Sequence, residues 1–160
     1  MTTVNRFGGK VIAEDGFKAV PGATAALLVA ANSPYVLSED DSGGTFLADA
    51  DGAVDITLPT PIGNPGMFFR FVISDAGAGA PADNVTINDG GAGALFIGTI
   101  VDVDAAGPPG VPRVIPASGT ILTFLGGTSA LGDNIEVFSA GGLWTVKAVS
   151  TANGGITITP

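Results

Sequence analysis

The chain has neither cysteine nor histidine among its 160 residues. Without cysteine there is no disulfide and no thiolate metal site. Without histidine the commonest general base, the commonest metal ligand and the physiological pH switch are all missing. Catalysis by a Ser–His or Cys–His pair is therefore excluded. Charge is scarce as well: 13% of residues are charged, about half the roughly 25% of a typical soluble domain. Only six of the charged residues are cations, and the net charge is −9. A nucleic-acid surface needs clustered Lys and Arg, so no nucleic-acid partner is expected. No apolar run approaches the roughly 20 residues of a membrane-spanning helix; the longest candidate, Ala23 to Ala31, is interrupted by Thr24. No membrane partner is expected. Gly8, Gly9, Glu14 and Asp15 break the pattern of a secretory leader, so synthesis in a cytoplasm is the expectation.

What is present is apolar and turn-rich. Hydrophobic residues make up 46% of the chain, beside 25 glycines and 11 prolines. That balance is the reverse of a disordered chain. Scarce charge with high apolar content points to surface buried in an assembly; the alternative is a monomer whose surface is mostly Ala, Gly, Ser and Thr. Between the glycines and prolines run short segments of period two. Val54, Ile56 and Leu58 alternate with Asp55 and Thr57. Phe69, Phe71 and Ile73 oppose Arg70, and Trp144, Val146 and Ala148 alternate with Thr145 and Lys147. Further strands are expected around Val85–Ile87, Leu95–Val103, Thr120–Leu125, Ile135–Phe138 and Ile156–Ile158. Asp51-Gly52, Asp89-Gly90 and Asn153-Gly154 are turn signals, the last of them favouring a tight hairpin. Ala23 to Asn32 reads either as a helix stopped by Ser33-Pro34 or as a buried strand. Ala76 to Ala82 and Ala105 to Pro112 read as loops.

This pattern predicts an all-β protein, an antiparallel β-sandwich or jelly-roll-like domain over residues 34–160. Residues 1–33 read as an N-terminal arm and connecting segment. Residues 1–20 carry Arg6, Lys10 and Lys18 against two acids, whereas the rest carries three cations against 13 acids. A slightly basic arm on an acidic body suits docking.

Chemistry is thin. A glycosidase needs only two carboxylates about 5–9.5 Å apart, but the acids sit mostly beside Gly, Asn or Ser, where Asp ordinarily bonds its own turn. Calcium has three candidate sites: Asp49, Asp51 and Asp55; Asp102 with Asp104; and Glu39-Asp40-Asp41. None has the spacing of a calcium loop with its closing bidentate Glu, and turn capping is the reading preferred. No catalytic residue, cofactor or metal is assigned. Trp144, the single tryptophan, reads as a core anchor rather than a sugar platform.

Two segments together resemble a known module. The first runs from Tyr35-Val-Leu-Ser-Glu-Asp-Asp-Ser-Gly-Gly-Thr-Phe-Leu through Val54-Asp-Ile-Thr-Leu-Pro to Gly66-Met-Phe-Phe-Arg-Phe-Val-Ile. The second is Gly132-Asp-Asn-Ile-Glu-Val-Phe-Ser followed by Gly142-Leu-Trp-Thr-Val. Their order resembles a β-sandwich module of tailed-bacteriophage capsid decoration (cement) proteins, also found in phage tail fibres. The resemblance covers residues 35 to about 149 and implies a non-enzymatic virion structural protein. Its implied place is the outer capsid surface, and its implied partners are the major capsid protein and two further copies in a homotrimer. Arg6, Phe7, Lys10, Phe17 and Lys18 are then the candidate capsid contacts, the aromatics as anchors and the cations as rim. The alternative is a fibre or receptor-binding module recognising a host-surface glycan through the 76–82 and 105–112 loops.

Overall fold

Residues that alternate between apolar and polar can satisfy both faces of a strand when one face meets a core. The computed structural model describes residues 26–49, 52–74, 82–91, 93, 95–102 and 111–160. Among these, regular structure is β-strand apart from two single 3-10 turns, Ala30–Asn32 and Glu39–Asp41. The protein is all-β, as expected.

Among the described residues the strands are β1 (Ala26–Val29), β2 (Tyr35–Val36), β3 (Thr45–Asp49), β4 (Val54–Thr57), β5 (Phe68–Ile73), β6 (Val85–Asn88), β7 (Phe96–Asp102), β8 (Val111–Gly119), β9 (Ile121–Phe124), β10 (Asn134–Ala140), β11 (Leu143–Ser150) and β12 (Ile156–Thr159). They form a seven-stranded sheet in the order β1-β3-β5-β10-β11-β7-β8 and a five-stranded sheet in the order β12-β9-β6-β4-β2. From β1 to β6 the chain changes sheet at every step, odd strands entering the larger sheet and even strands the smaller. A chain that crosses to the other sheet and back has reversed twice, so it returns parallel to its previous strand. Hence β1, β3 and β5 run parallel, as do β2, β4 and β6. This part is three turns of a two-sided coil. The later strands close it: β10 pairs antiparallel with β5 and forms a hairpin with β11, while β9 pairs antiparallel with β6 and β12 pairs antiparallel with β9.

The expectation of antiparallel sheets is therefore corrected: both sheets are mixed, and β11 also pairs parallel with β7. The reason lies in the turns. Gly90 (φ +87°) and Gly154 (φ +77°) do adopt the left-handed conformation that the sequence signals. Yet each lies on a connection that passes from one sheet to the other, β6 to β7 and β11 to β12. The Asn153-Gly154 turn is thus a corner between sheets rather than a hairpin. A true two-residue hairpin turn falls at Gly141-Gly142, where Ala140 pairs with Leu143 and both glycines have positive φ (+61° and +81°), the conformation that type I′ turns demand.

The ambiguous Ala23–Asn32 segment resolves as the edge strand β1, with Leu28 buried and Leu27 exposed, followed by a 3-10 turn and a cis Ser33-Pro34 bond. β1 lies within the 1–33 segment yet belongs to the larger sheet; residues 1–25 are outside the described residues. Val111 and Pro112, read as loop, instead open β8. β8 is an edge strand, the position in a sheet where proline is accommodated.

The inward faces of both sheets contribute to one hydrophobic core. Phe69, Phe71 and Ile73 come from β5, Val54 and Ile56 from β4, and Trp144, Val146 and Ala148 from β11, all buried. Phe46 stacks on Phe71 with ring centroids 5.5 Å apart, and Trp144 meets Phe69 edge-on at 5.8 Å. Each fully buried large side chain contributes roughly 1.5–3 kcal/mol. Close backbone approach is built in at Gly98 (φ +145°), where a Cβ would stand 2.0 Å from the Val146 carbonyl oxygen.

Candidate interaction surface

Arg6, Phe7, Lys10, Phe17 and Lys18 lie outside the described residues, as do most of the 76–82 and 105–112 loops. Trp144 is fully buried, and its indole N–H donates to the Asp89 carbonyl oxygen (3.3 Å). It is a core anchor, as read from its alternating strand. Several acids do the turn work expected of them. Asp89 accepts from the Gly91 N–H (2.8 Å), and Asp41 accepts from the N–H and hydroxyl of Ser38 (both 2.8 Å). Asp55 does no turn work: it lies within β4 and accepts a hydrogen bond from the hydroxyl of Thr86, its cross-strand partner on β6. Among the described residues no three acidic side chains converge as metal ligands.

What the topology assembles is a pair of unlike outward faces. On the smaller sheet, register places Asp55, Thr86, Thr123 and Thr157 in one row across four strands. That face is polar and hydroxyl-rich. The larger sheet is different. Alternation sends Leu27, Leu47, Val72, Val149 and Val101 outward, and register lines them up with Asn134 in one row across six strands. At about 4.8 Å per strand the row spans roughly 24 Å. A second row holds Phe68, Phe138, Thr145 and Ile97. Leu27 is 55% exposed and Phe138 44% exposed. Between the two runs a charged row, Arg70, Glu136 and Lys147, flanked by Thr45 and Thr99. The Arg70 Nε–Glu136 Oε1 distance is 3.7 Å with both side chains substantially exposed, so the pair adds little stability. Apolar rows flanking a thin polar one make this face the sort of surface that soluble proteins cover in assemblies.

A second feature is an acidic corner at the Glu39–Asp41 turn, which joins β2 to β3. Asn64 donates to Glu39 Oε1 (2.6 Å), tying the 60–66 loop to this turn. Ser38, Glu39, Asp40 and Pro59 line an open depression there. Val36 (77% exposed) lies three residues before this turn in the chain, and Ile62 (56% exposed) lies in the 60–66 loop.

Sequence reasoning misses the outward rows. Their signal is there nonetheless: in Met67-Phe-Phe-Arg-Phe-Val-Ile the face opposite Phe69, Phe71 and Ile73 carries Phe68 and Val72 beside Arg70, more apolar surface than a solvated face needs. No family model, curated protein or solved structure matches the chain.

Proposed function

We propose that this chain is a non-enzymatic virion structural protein that binds the outer surface of a bacteriophage capsid as a decoration protein and stabilises the shell, with copies assembling as a homotrimer. The observation that carries the reading is the apolar outward face of the seven-stranded sheet. A lone monomer gains nothing by exposing it, whereas a protein that works by burying area against neighbours requires such a face. Two sheets sharing one core support the β-sandwich module that the sequence resembles, and the resemblance supplies the capsid. The fibre-tip alternative loses its best sugar platform, because Trp144 is buried.

Arg6, Phe7, Lys10, Phe17 and Lys18 are the proposed contacts with the major capsid protein. Purified chain added to capsids assembled without it is expected to co-sediment saturably, at a fixed ratio to the major capsid protein. Removing residues 1–20 is expected to leave the trimer intact and to weaken capsid binding at least tenfold. Full-stoichiometry binding by the truncated chain would remove the arm from the account. No binding by the intact chain would remove the capsid.

A further inference from the structure

Two copies of a protein with net charge −9 set acid against acid wherever they touch, unless one side of the contact supplies cations. The cations whose side chains the structure describes are Arg70 and Lys147, and both lie in the charged row of the larger sheet's outward face. With Glu136 between them, that row carries a net charge of +1, while the Glu39–Asp41 corner carries −3. Each patch also has apolar company: Leu27, Phe68 and Phe138 on the face, exposed Val36 three residues before the corner in the chain, and exposed Ile62 in the 60–66 loop that Asn64 ties to Glu39.

We propose that copies of this chain join head to tail, the outward face of the larger sheet of one copy receiving the acidic corner of the next. The proposal rests on the self-assembly reading above and names the two surfaces that make the contact. Its logic is complementarity on both counts. Lys147 and Arg70 meet Asp40 and Glu39, and the apolar rows meet Val36 and Ile62. The face has the size for it: seven strands at about 4.8 Å, with strands near 20 Å long, present an area of the same order as the roughly 800 Å² that each partner buries in a stable interface. Because the two patches differ, the contact is heterologous. Such contacts generate a closed ring when the rotation between copies closes, and a trimer is the smallest ring of this kind with more than two members.

The test is a charge swap on the full-length chain, read as oligomer dissociation by light scattering and native mass spectrometry at low salt, where screening is weak. Lys147 and Asp40 are both exposed; Lys147→Glu sets a second acid across from Glu136, a cost of under about 1 kcal/mol, and circular dichroism with urea unfolding checks that both variants keep the fold. Each reversal alone is expected to weaken assembly roughly tenfold or more. The double variant K147E/D40K is expected to restore most of it, since every contact then carries the same pair of opposite charges with the signs exchanged. If the parent chain assembles but neither reversal weakens it, or the double variant does not recover, the pairing of these two patches is overturned while self-assembly stands. A parent chain that stays monomeric at all concentrations overturns self-assembly itself, and this contact with it.

Discussion

Trp144→Ala is expected to destabilise the protein by about 3–5 kcal/mol, a large share of the roughly 5–15 kcal/mol that holds a domain together. Trp144 is the largest of the fully buried side chains, packed edge-on against Phe69, with its N–H on the Asp89 carbonyl. Alanine removes the ring contact, opens a cavity in the core beside Phe69 and leaves that carbonyl without its indole donor. The effect reaches the surface, because the strand that buries Trp144 also turns Thr145 and Lys147 outward. Trp144→Phe separates the contributions: it keeps a ring against Phe69 and loses the hydrogen bond, at an expected cost of about 1–3 kcal/mol. Urea unfolding followed by circular dichroism measures both. A cost below about 1 kcal/mol for the alanine variant would mean that the ring does not anchor the core.

The second large effect is expected at Asp133, a buried carboxylate that the sequence presents as one more turn acid. Its Oδ1 accepts from the Thr151 N–H and the Thr151 hydroxyl (both 2.8 Å), and its Oδ2 accepts from the Ala130 N–H and the Ser150 hydroxyl (both 3.0 Å). One side chain thus ties the turn entering β10 to the corner between β11 and β12. The two backbone N–H groups and the Thr151 hydroxyl present hydrogen toward it, while the single Ser150 hydroxyl proton is shared between Asp133 and the Ala152 carbonyl oxygen (2.9 Å). Asp133→Asn keeps the shape but turns an NH₂ toward two of those donors, and a backbone N–H cannot reverse its polarity as a hydroxyl can. The expected loss is about 2–4 kcal/mol. Ser150→Ala leaves three of the four donors in place and is expected to cost about 1 kcal/mol. Urea unfolding of the two variants compares them, and equal losses would contradict the view of Asp133 as the hub.

How far the sequence carries can be judged at particular strands. β4, β5 and β11 are legible from period two, since Val54, Phe69 and Trp144 each begin a run whose alternate members are buried. β2, only two residues long, offers no period to read. Alternation tells which residues meet a core and is silent on which strand lies next door. That is why the mixed sheets escape it: Gly154 has the same positive φ at a corner as it would in a hairpin. The apolar outward face is hidden for a related reason. Leu27, Leu47, Val72, Val149 and Val101 are far apart in the chain, and their row exists only once register is known. Asp133 likewise becomes a hub only when β10 and the β11–β12 corner converge on it.

A protein that covers the outside of a phage shell, as proposed for this chain, is recognised by its copy number per virion. Quantitative gel densitometry of purified virions against the major capsid protein supplies that number. A lattice-scale count in a fixed ratio to the major capsid protein is expected. A handful of copies would place the chain at a tail or a single vertex and contradict the decoration reading.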